Sequence, residues 1–296
     1  MNSIYFYFNS SKNCLAVAIF SHILIPLKSG LLPDMFILIK NDNFSLSIFR
    51  KIYIVSQPCA LTMVNAIELL EHLKKYPVFD TTVVRDKVNK GSEYTNLLIH
   101  RLRKRGLVQQ IERDKYTVFK DPFLIASRIV WPSYISCWSA LKHHSLTEQV
   151  PHSVTVVTTA SKKAITFCNT KIRFIKLSPK AFFGYEKVKH GDFEIFIADA
   201  EKSVIDSALL REASFSELKE IILNNRGKIR INMLIGYLKR IGNKSLIKRF
   251  GYVFEAFGKD YFSRLKKFVD ATYIPLDYSK KVSGSKNEKW RLIVNA

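Results

Sequence analysis

The chain has 296 residues, is 47% hydrophobic and carries a formal net charge of +22. That length accommodates more than one core, and so large a cationic excess favours a polyanionic partner, either nucleic acid or an anionic membrane surface. Cys14, Cys59, Cys137 and Cys168 show no C-x-x-C spacing, which leaves out a zinc ribbon or redox pair and makes buried free thiols in a reducing cytoplasm the expectation. No P-loop, Rossmann glycine pattern or Ser/His/Asp set is visible. The adjacent His143 and His144 would diverge by about 100° on a helix, so neither a metal nor a cofactor is expected.

Residues 1–62 differ in kind from the rest: seven of them are charged, against 65 of the other 234. Residues 14–27 make an apolar run broken by Ser21, His22 and Pro26, shorter than the roughly 20 residues of a membrane span. Lys12 ahead of that run suits a signal peptide, yet no small-x-small cleavage site follows cleanly. A genuine divergent extension is another reading. The preferred one takes the Ile-, Phe-, Leu-, Ser- and Asn-rich composition as a translated AT-rich upstream region, with translation starting at Met63. N-terminal sequencing separates these.

Residues 63–120 predict a winged helix-turn-helix. Apolar residues at 66, 67, 69, 70 and 73 fit a helical stripe, with Asn65 as N-cap and Glu68 completing a capping box. Asp80 caps a second helix with Val83, Val84 and Val88 inward. Gly91 turns the chain, and Ser92 caps a third helix whose Leu98 and Leu102 face the core with Tyr94 or Thr95. Its other face carries Asn96, His100 and Arg103, flanked by Arg101 and Lys104. In a major groove Asn can bond adenine and Arg guanine, while flanking cations hold phosphates. Gly106 ends the helix. Residues 107–111 and 116–119 then predict a two-stranded wing around Arg113-Asp114-Lys115, with Arg113 and Lys115 as phosphate contacts. An amphipathic surface helix with solvated charges, or a protein-binding winged helix, remains the plainer alternative.

A new unit opens at Asp121-Pro122. Helices are predicted at 123–130, 134–144 and 201–210, and strands at 154–159, 164–167, 172–177 and 193–198. Pro132-Ser133-Tyr134-Ile135-Ser136-Cys137-Trp138-Ser139-Ala140-Leu141, with Leu146-Thr147-Glu148-Gln149-Val150-Pro151, resembles the AbiEi family of abortive-infection antitoxins and regulators. Similar to that family too are Phe174-Ile175-Lys176-Leu177, Phe182-Phe183-Gly184-Tyr185, Ala200-Glu201-Lys202-Ser203-Val204-Ile205-Asp206 and the ending from Lys289 to Asn295. The resemblance covers about residues 63–296. It implies a winged helix binding inverted repeats upstream of its own operon, repression of that operon, and a C-terminal domain that counteracts a nucleotidyltransferase-like toxin. Family wings commonly carry glycine where Asp114 stands, and an acid there would weaken a phosphate contact. Asp192, Glu194, Glu201 and Lys202 raise the rival of a metal-dependent nuclease. Glu201 and Lys202 more simply open a helix, with Asp206 one turn beyond Lys202.

The last third is basic. Helices are predicted at 215–223 with Ser214 as cap, 231–241, 245–257 and 260–269. Arg226, Lys228, Arg230, Lys239, Arg240, Lys244, Lys248 and Arg249 would form either a second phosphate-contacting surface or a solvated face; no aromatic-interleaved RNA motif appears there. Residues 279–289 predict a mobile loop and 290–294 a returning strand. The fold class expected is therefore α+β: an atypical segment 1–62, a winged helix-turn-helix 63–120, and a mixed α/β domain 121–296 with a helical basic end. The expected role is a cytoplasmic DNA-binding autorepressor and antitoxin, acting as a dimer or as paired monomers. A nuclease and a protein-interaction module are the rivals.

Overall fold

The computed structural model describes residues 60–295, with side chains from Ala66 onward, and upstream the backbone of five short strands: β1 (Ser3–Ile4), β2 (Phe6–Asn9), β3 (Cys14–Val17), β4 (Phe36–Lys40) and β5 (Ile52–Val55). Apart from those strands, the signal, anchor and start-site readings of residues 1–62 lie outside the described residues. By compactness the chain divides between Glu71 and His72. In the first unit β4 pairs antiparallel with β1 and β5, and β2 with β3. Helix α1 (Ala60–Leu73) starts earlier than predicted. Nothing in Ala60-Leu61-Thr62-Met63-Val64 breaks a helix, so Asn65 is a helical residue rather than a cap.

The second unit mixes helices and sheets. It opens with α2 (Thr81–Val88) and α3 (Ser92–Lys104), followed by an antiparallel ribbon of β6 (Gln109–Glu112) and β7 (Lys115–Thr117). The short helix α4 (Pro122–Ala126) is capped by Asp121 and leads to β8 (Ser133–Ser136) and α5 (Cys137–His143). The sequence predicted one helix over 134–144. Its first residues are instead a fully buried strand, which has no polar alternation to distinguish it from a buried helix. Then come β9 (Ser153–Thr158), β10 (Ile165–Phe167), β11 (Thr170–Lys176), β12 (Tyr185–His190) and β13 (Phe193–Ala198). β12 was not anticipated. The six strands run in the order β10-β11-β9-β8-β13-β12, parallel at β11–β9 and β8–β13 and antiparallel elsewhere. Cys168 and Asn169, with φ of 46° and 60°, make the two-residue turn between β10 and β11, as a type I′ hairpin demands. Cys168 is thereby exposed at a turn tip, against the expectation of buried thiols, whereas Cys137 is buried.

One core lies against this sheet and includes Ile125, Tyr134, Val156, Ile172 and Ile197, together with Ile111 from the ribbon. A second is built by α6 (Ala200–Leu209), α7 (Phe215–Asn224), α8 (Ile231–Ile241) and α9 (Lys244–Phe254), closed by α10 (Phe262–Leu265) and a small sheet β14 (Ile274–Pro275), β16 (Leu292–Val294), β15 (Ser285–Asn287). Ser214 and Glu217 form a capping box on α7, as its sequence signature requires. β15 falls inside the segment predicted to be a mobile loop, and pairs antiparallel with β16.

Trp290 is fully buried in the second core and donates its indole N–H to Glu255 Oε1 at 2.8 Å. Its ring lies over Gly251 of α9, where an added Cβ would sit 2.1 Å from a ring carbon. Helix propensity alone would make Gly251→Ala stabilising by about 1 kcal/mol. We expect the opposite sign, a loss of about 1–3 kcal/mol or more from overpacking, read as a lowered urea midpoint. A raised midpoint would mean that the indole is free to move.

Candidate nucleic-acid interface

The α2–α3 connection is set by caps. Asp80 accepts from Val83 N–H at 3.1 Å, and α2 ends on Asn89 in the left-handed region with φ 50°. Asn89, not Gly91, supplies the left-handed residue of the turn. Gly91 is the N-cap of α3 with φ −63°, and Ser92 is the first helical residue and caps nothing. Thr95 Oγ1 instead donates to the Gly91 carbonyl at 3.0 Å. At the other end Gly106 has φ 70°, with Leu107 N–H on the Leu102 carbonyl and Gly106 N–H on that of Arg103, a Schellman stop.

Val84 on α2 is buried, and Thr95, Ile99 and Leu102 are the buried residues of α3. Leu98 is only half-buried, and Tyr94 stays 48% exposed. The inward stripe therefore sits one residue round from the predicted one, because Thr95, Ile99 and Leu102 at spacings of four and three outcompete Leu98 for the same groove. The outward face survives the shift. Asn96, His100, Arg101, Arg103 and Lys104 are all exposed. Among the described residues the three cations have no carboxylate partner; the only acid in the helix, Glu93, lies in its first turn.

The ribbon is held on both sides. Phe79 and Tyr116 exchange backbone hydrogen bonds at 2.9 and 2.8 Å. Glu112 takes Lys115 at 2.9 Å and Lys162 at 2.6 Å. Burial would raise the Glu112 carboxyl, but hydrogen bonds from Lys162 and Lys115 outweigh it and hold it below the usual range. Lys115 also donates to the Ile129 carbonyl at 2.9 Å. It is thus engaged by its own molecule, and Arg113 is the exposed cation at the tip.

Asp114 has φ 56°, the left-handed geometry that Asp tolerates in turns. Its Oδ1 accepts from Thr81 Oγ1 at 2.8 Å and Thr81 N–H at 3.3 Å. The carboxylate expected to oppose a phosphate is therefore directed at the N-terminus of α2, where a negative charge is favourable. Asp114→Asn keeps an acceptor and the turn geometry, and we expect its thermal midpoint to stay near wild type. Asp114→Ala loses both, and we expect it to cost about 1–2 kcal/mol. Equal midpoints for the two variants would show that the Thr81 anchor contributes nothing.

The C-terminal cations are placed differently from their prediction. Lys248 and Arg249 are buried, not on an outer surface. Lys248 pairs with Asp270 and donates to the Thr272 carbonyl at 2.6 Å. Arg249 donates to the carbonyls of Pro275 and Leu276 at 3.1 and 3.0 Å. Arg230 holds the buried Glu201 through Nε and Nη2, both at 3.0 Å, Lys228 reaches the Ser145 carbonyl at 2.8 Å, and Lys244 lies 3.7 Å from Asp270. Lys239 is half-buried. Arg226 and Arg240 are exposed and lie over the rings of Phe257 and Phe183 at 5.1 and 3.9 Å. The eight do not make one continuous phosphate-binding face.

The carboxylates suggested for metal chemistry also have separate partners. Glu194 pairs with Lys187, Glu201 with Arg230 and Lys202 with Asp206, while Asp192 is exposed in the turn before β13. His144 Nε2 contacts the Ala198 carbonyl at 2.7 Å. Among the described residues no group of three His, Cys, Asp or Glu side chains is placed to hold a metal ion.

Sequence reasoning missed a buried polar network at the join of β8 and α6. Lys202 and Asp206 are both fully buried and ion-paired. Lys202 also donates to Tyr134 Oη at 3.0 Å, and Asp206 Oδ2 accepts from Tyr134 at 3.0 Å and Ser136 at 2.8 Å. Burial pushes the Asp206 carboxyl up against the opposing pull of Lys202. Gly184, with φ 71°, packs on Lys202 so closely that a Cβ would stand 3.1 Å from its stem. The network is sealed, so it organises the domain and offers no ligand access. Its one sequence signal was the four-residue spacing of Lys202 and Asp206. Among the described residues no helix is long and apolar enough to cross a membrane. No protein-family model matches the chain, and no curated protein matches its sequence.

Proposed function

We propose that α2 through β7 form the reading part of a winged helix-turn-helix that binds duplex DNA, with α3 in the major groove. The observation that carries this reading is the solvent-facing set Asn96, His100 and Arg103, flanked by Arg101 and Lys104, on a helix whose opposite side is buried. Its cations are free of carboxylate partners among the described residues, so no internal ion pair must break before a phosphate or guanine is engaged. The Asp114 carboxylate is engaged by Thr81 at the start of α2, which weakens the objection to a wing near the backbone of the duplex. The net charge of +22 supports affinity that falls steeply with salt.

The resemblance to AbiEi proteins extends the proposal. On that basis the chain is a cytoplasmic autorepressor of its own operon, binding inverted repeats as a dimer or as two monomers side by side. Residues 121–296 then act as the antitoxin part against a nucleotidyltransferase-like toxin, without a cofactor. Footprinting on the DNA upstream of its own gene tests this: a protected inverted repeat at moderate salt is the expected result, and no protection removes the repressor reading. Plasmid cleavage with magnesium that Asp192→Ala abolishes would favour the nuclease rival instead.

A further inference from the structure

Strand β12 is one edge of the six-stranded sheet, and Tyr185, Lys187 and Lys189, two residues apart, share one of its faces. Phe196 on β13 stands opposite Lys187 in register. Phe196 is half-buried and props up two more exposed rings, Trp131 at 5.4 Å and Tyr185 at 5.7 Å between centroids. Tyr185 is in turn stacked on the buried Tyr134 at 4.9 Å and 17°, which fixes its underside. Trp131 is 69% and Tyr185 38% exposed. Cations run along the same strip: Arg128 donates to the Glu194 carbonyl, Lys187 pairs with the Glu194 carboxylate, and Lys189 has no carboxylate partner among the described residues.

We propose that this strip binds single-stranded nucleic acid, with bases stacking on Trp131 and Tyr185 and phosphates following Arg128, Lys187 and Lys189. Exposed rings interleaved with cations are what a sequence-tolerant single-strand site requires. The exposed Lys187–Glu194 pair contributes little and is readily exchanged for a phosphate. An added peptide strand fits less well, because lysines on an edge strand discourage strand pairing. Lysine protection of an edge also leaves the solvent-facing indole of Trp131 without a reason.

The test uses the full chain and fluorescein-labelled oligo(U) and oligo(dT) of about 12 nucleotides, a length within the usual site sizes, followed by anisotropy at low salt. Trp131→Ala and Tyr185→Ala are each expected to weaken binding by about five- to a hundredfold, and Tyr185→Phe to retain it. Lys189→Glu should weaken binding and flatten its salt dependence. Arg103→Ala on the duplex-reading helix should leave oligonucleotide binding unchanged, which separates this site from the DNA reading above. Stronger binding of oligo(U) would name RNA as the source and equal binding either strand type; both support the site. Wild-type protein that binds neither oligonucleotide overturns it, as does affinity that Trp131→Ala leaves unchanged. Trp131 lies at the surface, so that variant decides the matter even if Tyr185→Ala fails to fold.

Discussion

Asp206→Ala is expected to destabilise the second unit by about 3–5 kcal/mol, because it leaves the Lys202 ammonium buried without its counter-charge. Lys202 is fully enclosed and, among the described residues, has Asp206 as its one carboxylate partner, with Tyr134 Oη as a neutral neighbour. Replacing both partners, as in Lys202→Met with Asp206→Leu, should cost less than Asp206→Ala alone. Urea midpoints of the three proteins decide it. A single variant within a few tenths of a kcal/mol of wild type would show that Lys202 finds water or another partner.

That pair also marks where the sequence stops being legible. Local rules carried in part: Asp80 and Ser214 cap the helices that follow, because a cap depends on residues three apart or fewer, whereas Asn65 and Ser92 are helical residues and not caps. Alternating apolar residues located β9 and β13 nearly to the residue. β12 was hidden because Tyr185-Glu186-Lys187-Val188-Lys189 is charged on both sides, as an edge strand can be, and β8 because every residue in it is buried. The fates of Lys248 and Arg249 could not be read at all. A cation enters the interior only when an acceptor meets it, and theirs come from Asp270, Thr272, Pro275 and Leu276, more than twenty residues downstream. The same limit applies at the candidate interface. The exposed residues of α3 were visible as a stripe, but Lys115 looked equally free until Glu112 and the Ile129 carbonyl took it up. Composition counts cations; only tertiary contacts say which remain available to a phosphate.

This distinction sets the other large effect expected, on duplex binding. On the proposed duplex reading, Arg103→Ala should cost about 1–3 kcal/mol at an inverted repeat and relax base preference at the position it faces, as loss of a bidentate guanine contact does. Asn96→Ala, about two helical turns earlier on α3, should act in the same range at an adenine it faces. Lys104→Ala should instead weaken specific and nonspecific DNA alike and reduce the slope of log K against log salt by about 0.9 for the one phosphate lost. Lys115→Ala should leave that slope unchanged, since its ammonium already serves Glu112 and the Ile129 carbonyl. Titrations of the four variants against repeat and scrambled duplexes at several salt concentrations separate base readout from charge. If Arg103→Ala and Asn96→Ala bind the repeat as wild type does while remaining folded, α3 does not read the bases. A salt slope that drops with Lys115→Ala would place the ribbon, rather than the third helix, against the backbone of the duplex.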